Sequence, residues 1–448
     1  MDTAKERIKP ELLGGFRDFL PEEMAARQWM LDTIQQVYER FGFVPLATPA
    51  LERSPVLGTD DPDFAMQVYR FKARGEQDIS MRFDLTVPLA RVVAANPALP
   101  KPFKRYQVGP VWRAEKPQAG RYCEFFQFDA DIVGTSSMLA DAEIIILIWS
   151  VMKAMGVEDI LIRVNNRKVL NALPELAGFP FEKIKLVLRA LDSLDKAGEQ
   201  TVRERLARQP ENEYDESAPA LDQKTIDWIM DFINLRETDK EKLLQILSER
   251  MANSAVGIEG VKELAEIKQY VDAYGVPTDR WTIDLSVARG LDYYTGPVFE
   301  TVFLSKPEFG SVMSGGRFDD LVMRFTGQRM PAVGASVGVD RLFIALQELK
   351  RLPTIVASTK VLIANFDDDL VAKRLELAAY LRSKGINTEL YFNPNRLQEQ
   401  ITYALKRGIP YLIILGEREA AANMVAIKDL AKRTQATVTP NQLVQTIL

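Results

Sequence analysis

The chemistry open to this chain is bounded first by a residue it lacks: its 448 residues include no histidine. Ser-His-Asp and Cys-His nucleophilic systems, His-ligated zinc and the HRD loop of protein kinases are therefore excluded. Reaction chemistry must come from carboxylates, arginine, lysine, hydroxyls and bound metal ions. Neither G-x-x-x-x-G-K-[ST] nor a G-x-G-x-x-G following a strand occurs, so neither common phosphate cradle is available. Guanidinium groups remain, as planar bidentate donors that do not deprotonate. Three stand in suggestive settings: Arg113 in Val111-Trp-Arg-Ala-Glu, Arg289 heading Arg-Gly-Leu-Asp-Tyr-Tyr-Thr-Gly, and Arg341 behind Gly334-Ala-Ser-Val-Gly-Val-Asp. Singly, each reads as a surface or ion-paired arginine. Their weight lies in occurring together.

The elements that must carry them follow from periodicity. Apolar residues at Met24, Leu31, Ile34, Tyr38 and Phe41 predict an amphipathic helix from Pro21 to Phe41, stopped by Gly42. Phe43 to Leu51 reads as an edge or interface strand, because Pro45 and Pro49 cannot donate to a ladder. Ile79–Leu85 and Phe103–Gly134 alternate as strands of an antiparallel sheet. A helix over Met138–Met155 and a strand over Ile160–Val164 follow. From residue 171 to 274 helical periodicity takes over, broken by the polar stretch Gln209–Pro219, and this reads as a helical insertion. Strands return at Thr282–Val287 and Val298–Phe303, then a Gly-rich loop and a helix over Val339–Leu349. Beyond a linker at Arg351–Thr359, strand and helix alternate over Val361–Phe366, Val371–Lys384, Thr388–Phe392, Leu397–Arg407 and Tyr411–Leu415. That pattern predicts a small α/β domain with a largely parallel sheet.

Composition sets the outer limits. Hydrophobic residues make up 47% and charged residues 27%, enough for a sizeable core. The net charge of −5 argues against wholesale coating of nucleic acid, but residues 357–448 hold 12 Lys/Arg against 9 Asp/Glu, which points a polyanion toward the C-terminal domain. One cysteine, Cys123, forbids an intrachain disulfide and a Cys-built zinc site, so a reducing, cytoplasmic home is expected. No apolar run reaches the ~20 residues that span a bilayer, so no membrane association is expected.

With these motifs in place, the chain resembles the histidyl-tRNA synthetases, class II aminoacyl-tRNA synthetases, over nearly its full length. The Pro21–Leu51 region with Pro49 resembles class II motif 1. Arg105 to Gly134, including Gly120-Arg-Tyr-Cys-Glu-Phe-Phe-Gln-Phe-Asp-Ala-Asp, resembles motif 2, and Pro331-Ala-Val-Gly-Ala-Ser-Val-Gly-Val-Asp-Arg-Leu resembles motif 3. Arg82-Phe-Asp-Leu-Thr-Val-Pro and Ala288-Arg-Gly-Leu-Asp-Tyr-Tyr-Thr-Gly-Pro-Val-Phe-Glu are similar to stretches particular to the histidyl branch. The resemblance implies an α+β fold: an antiparallel sheet of six or seven strands flanked by helices (residues 1–170 and 275–350), a helical insertion (171–274) and a C-terminal α/β anticodon-binding domain (357–448).

It also implies a reaction. Histidine would be joined to AMP with release of pyrophosphate, then passed to the 3′ end of histidine tRNA by a cytoplasmic homodimer. Arg113 and Arg289 would be the catalytic pair, holding the α-phosphate and the substrate carboxylate. Arg121 and Arg341 would grip the β/γ phosphates of ATP with Mg²⁺, and Glu115 would read the adenine. Asp84, Thr86 and Gln127 match the ammonium contacts, and Asp131 and Tyr294, with Tyr293 beside them, match the groups that hold the imidazole. No resident metal site is implied. The bland readings are a helix cap for Asp84-Leu-Thr, a tight turn for Gly315-Gly-Arg and strand aromatics for Tyr293 and Tyr294. The sequence departs from the family at Cys123, Ala335, Gln107 and Phe126 without losing a catalytic charge. A non-catalytic, histidine-sensing regulatory paralogue of an ATP phosphoribosyltransferase is the alternative. Retention of the arginines and of the whole tail speaks against it.

Overall fold

The computed structural model describes residues 8–58, 62–116, 122–211, 218–288, 293–353, 358–366 and 369–448. The chain divides into two compact units, one built around Gln28–Arg351 and one around Leu352–Leu448, with Phe19–Arg27 grouped with the latter.

The first unit is organised by an eight-stranded sheet. Its strands are β1 (Val44–Pro45), β5 (Phe103–Trp112), β6 (Glu124–Val133), β7 (Ile160–Asn166), β8 (Trp281–Ile283), β9 (Pro297–Phe303), β10 (Met313–Arg317) and β11 (Ala332–Gly338). The spatial order is β1-β5-β6-β11-β10-β9-β7-β8. The six inner strands pair antiparallel, while β1 and β8 lie parallel at the two edges. The count exceeds the expected six or seven because these edge strands are only two and three residues long. A separate three-stranded sheet, ordered β2-β4-β3, comprises β2 (Leu51–Arg53), β3 (Arg70–Lys72) and β4 (Asp78–Met81).

Three expectations are corrected here. The Gly-rich region before Val339 is not a loop but the two central strands β10 and β11. A Cβ on Gly315 would collide with the carbonyl oxygen of Gly334 and come 2.6 Å from the Ala335 Cα. The glycines that weaken strand propensity are thus what lets these two backbones meet. The strand expected over Thr282–Val287 stops at Ile283, because the Asp284 carboxylate accepts the Ser286 N–H at 3.0 Å and turns the chain. The Ile79–Leu85 segment leaves its strand at Met81 and belongs to the small sheet, which frees Asp84 for another task.

Helices cover the sheet. Met138–Ala154 is buried on nearly every side, with Ser137 as its N-cap, accepting the Leu139 N–H at 3.2 Å. Between β7 and β8 the described residues are mainly helical, and the helices Gln223–Ile233, Lys240–Arg250 and Ala255–Tyr274 are capped by Asp222, Asp239 and Ser254. Buried charge ties the sheet to its helices. Arg317 on β10 ion-pairs with Asp141 of the Met138–Ala154 helix and reaches Asp319 at 3.3 Å.

The second unit carries a five-stranded sheet ordered β13-β12-β14-β15-β16. Its strands are β12 (Val361–Ile363), β13 (Thr388–Leu390), β14 (Tyr411–Ile414), β15 (Val425–Asp429) and β16 (Thr434–Val438). Only the β12–β13 and β12–β14 pairings are parallel; β14–β15 and β15–β16 are antiparallel. The expected largely parallel sheet is therefore mixed. The four residues between β15 and β16 allow only a hairpin return, whereas parallel neighbours need a long crossover. Helices Val371–Ser383 and Leu397–Lys406 supply those crossovers for β12, β13 and β14.

Candidate active site

The inner strands carry two adjoining cavities on one face of the large sheet. The first, of about 330 Å³, is lined by Asp84, Thr86, Arg113, Gln127, Asp129, Asp131, Tyr293, Tyr294 and the backbone of Gly315 and Gly334, among others. The second, of about 310 Å³, is lined by Arg113, Glu115, Tyr122, Phe125, Ser311, Asp340 and Arg341, among others. Arg113, Gln127, Asp192, Ser314 and Ser336 border both.

Period two explains the acidic wall. Gln127, Asp129 and Asp131 alternate along β6, so all three side chains face the same way. Asp131 ion-pairs with the fully buried Arg105 of β5 at 2.7 Å, and Gln127 Nε2 donates to Ser336 Oγ at 2.7 Å. Burial pushes the carboxyls of Asp129 and Asp131 up in pKa, Arg105 opposes the shift, and their mutual repulsion adds to that of Asp129. The space these acids occupy exists because β11 has glycine opposite Asp131. A Cβ on Gly334 would fall inside the Asp131 carboxyl and 2.7 Å from the Ala130 carbonyl oxygen. Gly334→Ala is therefore expected to destabilise the protein by about 1–3 kcal/mol through overpacking. Urea unfolding of the variant measures the loss.

Asp84 unites its two readings. Its Oδ1 accepts the N–H groups of Thr86 and Val87, at 3.2 and 2.9 Å, at the start of the Thr86–Ala95 helix. The residue is a cap, and it also lines the first cavity. Burial raises its pKa, with the Val87 N–H bond and the Arg113 charge pulling the other way. Tyr293 and Tyr294 meet edge to face at 5.0 Å between ring centroids, and burial raises both phenols.

Arg113 follows β5 directly and joins the two cavities. Its guanidinium lies 4.3 Å from the Phe83 ring centroid and 5.0 Å from that of Phe125, while Nε donates to the Phe83 carbonyl at 3.4 Å. Aromatic faces orient the fork without consuming its donors. Arg341, in the first turn of the Val339–Glu348 helix, donates through Nη1 to the Ser311 carbonyl at 2.7 Å. Asp340 accepts the Phe126 N–H at 2.7 Å and pins that helix to β6.

The structure thus brings Asp84, Thr86, Arg113, Gln127, Asp131, Tyr293 and Tyr294 to one cavity, and Arg113, Glu115 and Arg341 to the next. Arg121 and Arg289 lie outside the described residues. Sequence reasoning did not single out Asp129, Ser314, Ser336, Asp192 or Lys196. The alternation 127/129/131 contained the signal for Asp129. Asp192 and Lys196 come from the helical segment and carried no local signal. Among the described residues, no group of three or more acids or cysteines is arranged to hold a metal ion, and no helix is long and apolar enough to cross a membrane.

The acidic wall makes a pH prediction. A buried carboxyl with a raised folded-state pKa binds its proton more tightly in the native state, so stability falls as pH rises from the ordinary range near ~4 upward. Asp129→Asn is therefore expected to raise the urea midpoint at pH 8. That advantage should shrink as the pH is lowered toward ~4.

Comparison with known proteins places this geometry. The family model described as Histidyl-tRNA synthetase matches residues 15–342, and one described as Anticodon binding domain matches 360–448. The histidine–tRNA ligase of Clostridium tetani is 40% identical, covering 99% of each chain. That of Rhodopirellula baltica is 41% identical, covering 98% of this chain and 99% of its own. Among solved structures, histidyl-tRNA synthetase from Nostoc sp. PCC 7120 superposes with a TM-score of 0.83 at 34% identity, covering 98% of this chain and 99% of that one. A Bacillus halodurans protein titled as an ATP phosphoribosyltransferase regulatory subunit/histidyl-tRNA synthetase shares the fold, with a TM-score of 0.73 at 21% identity over 89% of this chain and 97% of its own. Two cavities joined at one arginine on an antiparallel sheet, and full-length likeness at about 40% identity, lead to one assignment: this chain belongs to the histidyl-tRNA synthetase family.

Proposed function

We propose that the protein activates histidine with ATP, forming histidyl-adenylate, and transfers the histidyl group to the 3′ end of histidine tRNA. The observation that carries this reading is Arg113, the cation among the five residues that border both cavities, with its fork held by two aromatic rings. A group there can touch the substrate carboxylate and the α-phosphate together, as charge builds between them. Arg289 is proposed to meet the same phosphate, Arg121 and Arg341 the β/γ phosphates, and Glu115 the adenine. Asp84, Thr86 and Gln127 would take the ammonium, with Asp131, Tyr293 and Tyr294 around the imidazole ring. Buried polar groups that only histidine satisfies give discrimination without editing.

Mg²⁺ would be held mainly by the phosphates of ATP, with Glu115, Asp192 and Asp340 as the carboxylates on the second cavity wall. It would neutralise the leaving pyrophosphate. The division into a catalytic region (1–170 and 275–350), a helical insertion (171–274) and an anticodon-binding domain (357–448), a homodimeric assembly and a cytoplasmic location all belong to the same reading. The regulatory, non-catalytic alternative is not favoured, because full-length likeness runs to proteins named as ligases. Charging of histidine tRNA with labelled histidine tests the proposal. Product should form with ATP present and vanish without it; histidine binding without charging would refute it.

A further inference from the structure

Asp129 is a buried acid of the first cavity to which the proposed reaction gives no task. It is 1% exposed, and neither carboxylate oxygen meets a partner in hydrogen-bonding geometry among the described residues, although the Ser336 hydroxyl lies near enough to oppose part of the rise in its pKa. Its opposite numbers in the ladders are Gln107 on β5 and Ser336 on β11. Gln107 spends its amide N–H on Thr48 at 3.0 Å, while Ser336 accepts that of Gln127 and can still turn its own O–H, a neutral donor, toward Asp129.

The charged surroundings do not neutralise it. Arg105 from β5 faces Asp129 but pairs with Asp131, while Asp84 adds a third acid from the loop before the Thr86–Ala95 helix. Arg82 and Arg113 lie within electrostatic reach, as do the phenols of Tyr38, Tyr293 and Tyr294. Arg82 is occupied by the carbonyls of Pro110 and Thr48. Two acids at successive inward positions of one strand therefore share one guanidinium.

A neutral imidazole offers one N–H and one bare nitrogen, and a bare nitrogen facing a carboxylate is repelled. An imidazolium offers an N–H on each side and a positive charge, which suits paired acids in a low-dielectric wall. We propose that Asp129 acts with Asp131 to select the substrate side chain as an imidazolium, the ring taking one proton from solvent as it binds. Asp129 is then a specificity residue for the cationic ring. The inference rests on the histidine-activating reading and extends it.

The absence of histidine from the chain makes the test direct: in histidine labelled at its ring nitrogens, every imidazole resonance belongs to the ligand. At pH 8, above the ordinary histidine pKa of about 6.5, the full-length protein should hold a ring with two protonated nitrogens. Its Kd for histidine should rise by up to about tenfold per pH unit above ~6.5, since proton uptake accompanies binding. Asp129→Asn should bind about ten- to a hundredfold more weakly, as expected for loss of a charge-assisted contact, with a flat pH dependence and one bare ring nitrogen. A second probe needs no variant. A histidine isostere with a triazole ring, too weakly basic to protonate, should lose affinity for the unaltered protein by a similar factor.

A neutral bound ring, equal affinity for the triazole isostere, or an Asp129→Asn protein with unchanged affinity and ring state would each overturn the inference. Failure of the unaltered protein to bind histidine would instead overturn the reading beneath it.

Discussion

Replacing Arg113 with glutamine is expected to lower kcat/KM for histidine-dependent ATP–pyrophosphate exchange by about 10²–10³-fold, the cost of removing a donor aimed at charge that develops in the transition state. The side chain borders both cavities and is held by Phe83 and Phe125 rather than by an acid in direct contact. Among the described residues only Nε is engaged, by the Phe83 carbonyl at 3.4 Å, which leaves the Nη donors for substrate. Glutamine keeps an amide in the same space but removes the charge and the bidentate fork. The loss should fall mainly on kcat if the contact tightens as the phosphorus–oxygen bond forms. A variant with unchanged kcat and only a raised KM for ATP would show that Arg113 serves binding alone. Circular dichroism and an unchanged urea midpoint would separate lost chemistry from lost fold.

The largest effect on stability is expected at Arg317. This side chain is 2% exposed and holds Asp141, which is fully buried, together with Asp319 and the carbonyls of Thr135 and Ser137. Arg317→Met leaves the buried Asp141 without its cation, while Asp319 keeps Arg329 at 3.1 Å, and breaking a buried pair in this way costs about 3–5 kcal/mol. The sign of the pH dependence follows from Asp141. Burial pushes its carboxyl up to about 6 against the pull of Arg317, and without the arginine it should climb further. The variant should therefore be least stable above pH 6 and recover part of the loss as acid supplies the missing proton. Adding Asp141→Leu to Arg317→Met should restore stability at neutral pH, because the uncompensated charge goes with it. Additive losses in the double variant would contradict the pairing. Urea unfolding at pH 5.5 and pH 8 measures both.

These residues also show what a sequence can and cannot reveal about such a site. Arg113, Asp84, Gln127, Asp131, Arg341 and the tyrosine pair were legible because they sit in contiguous motifs, where the neighbours of each residue define its setting. The helix over Pro21–Arg40 was legible from helical spacing together with Pro21, Glu22 and Glu23 at its start, and that over Met138–Ala154 from its long apolar run. Asp129 was overlooked although it lies between two residues that were not. An acid on a strand ordinarily points to water, and only the cover of other elements turns that face inward, with Ser336 of β11 opposite it. The glycines of β10 and β11 hid those two strands, since glycine depresses strand propensity at the positions where two backbones and an acid must come close. Asp192 and Lys196 reach the cavity walls from a helical segment far along the chain, a relation that only the tertiary fold creates.

The absence of histidine bears on function as well as on method. With no imidazole in the protein, an inflection of activity near neutral pH has to be sought in the substrates' own groups, in the α-amino terminus or in displaced carboxyls such as those of Asp129 and Asp131. A chain of this family without histidine also does not require its own product for its synthesis.

The central claim is that the two joined cavities activate histidine with ATP. It is tested most directly by ATP–pyrophosphate exchange with the purified full-length protein, offering each amino acid in turn. The account predicts exchange driven by histidine alone and lost on Arg113→Gln. Exchange driven by another amino acid, or none with histidine under conditions in which histidine binds, would contradict it.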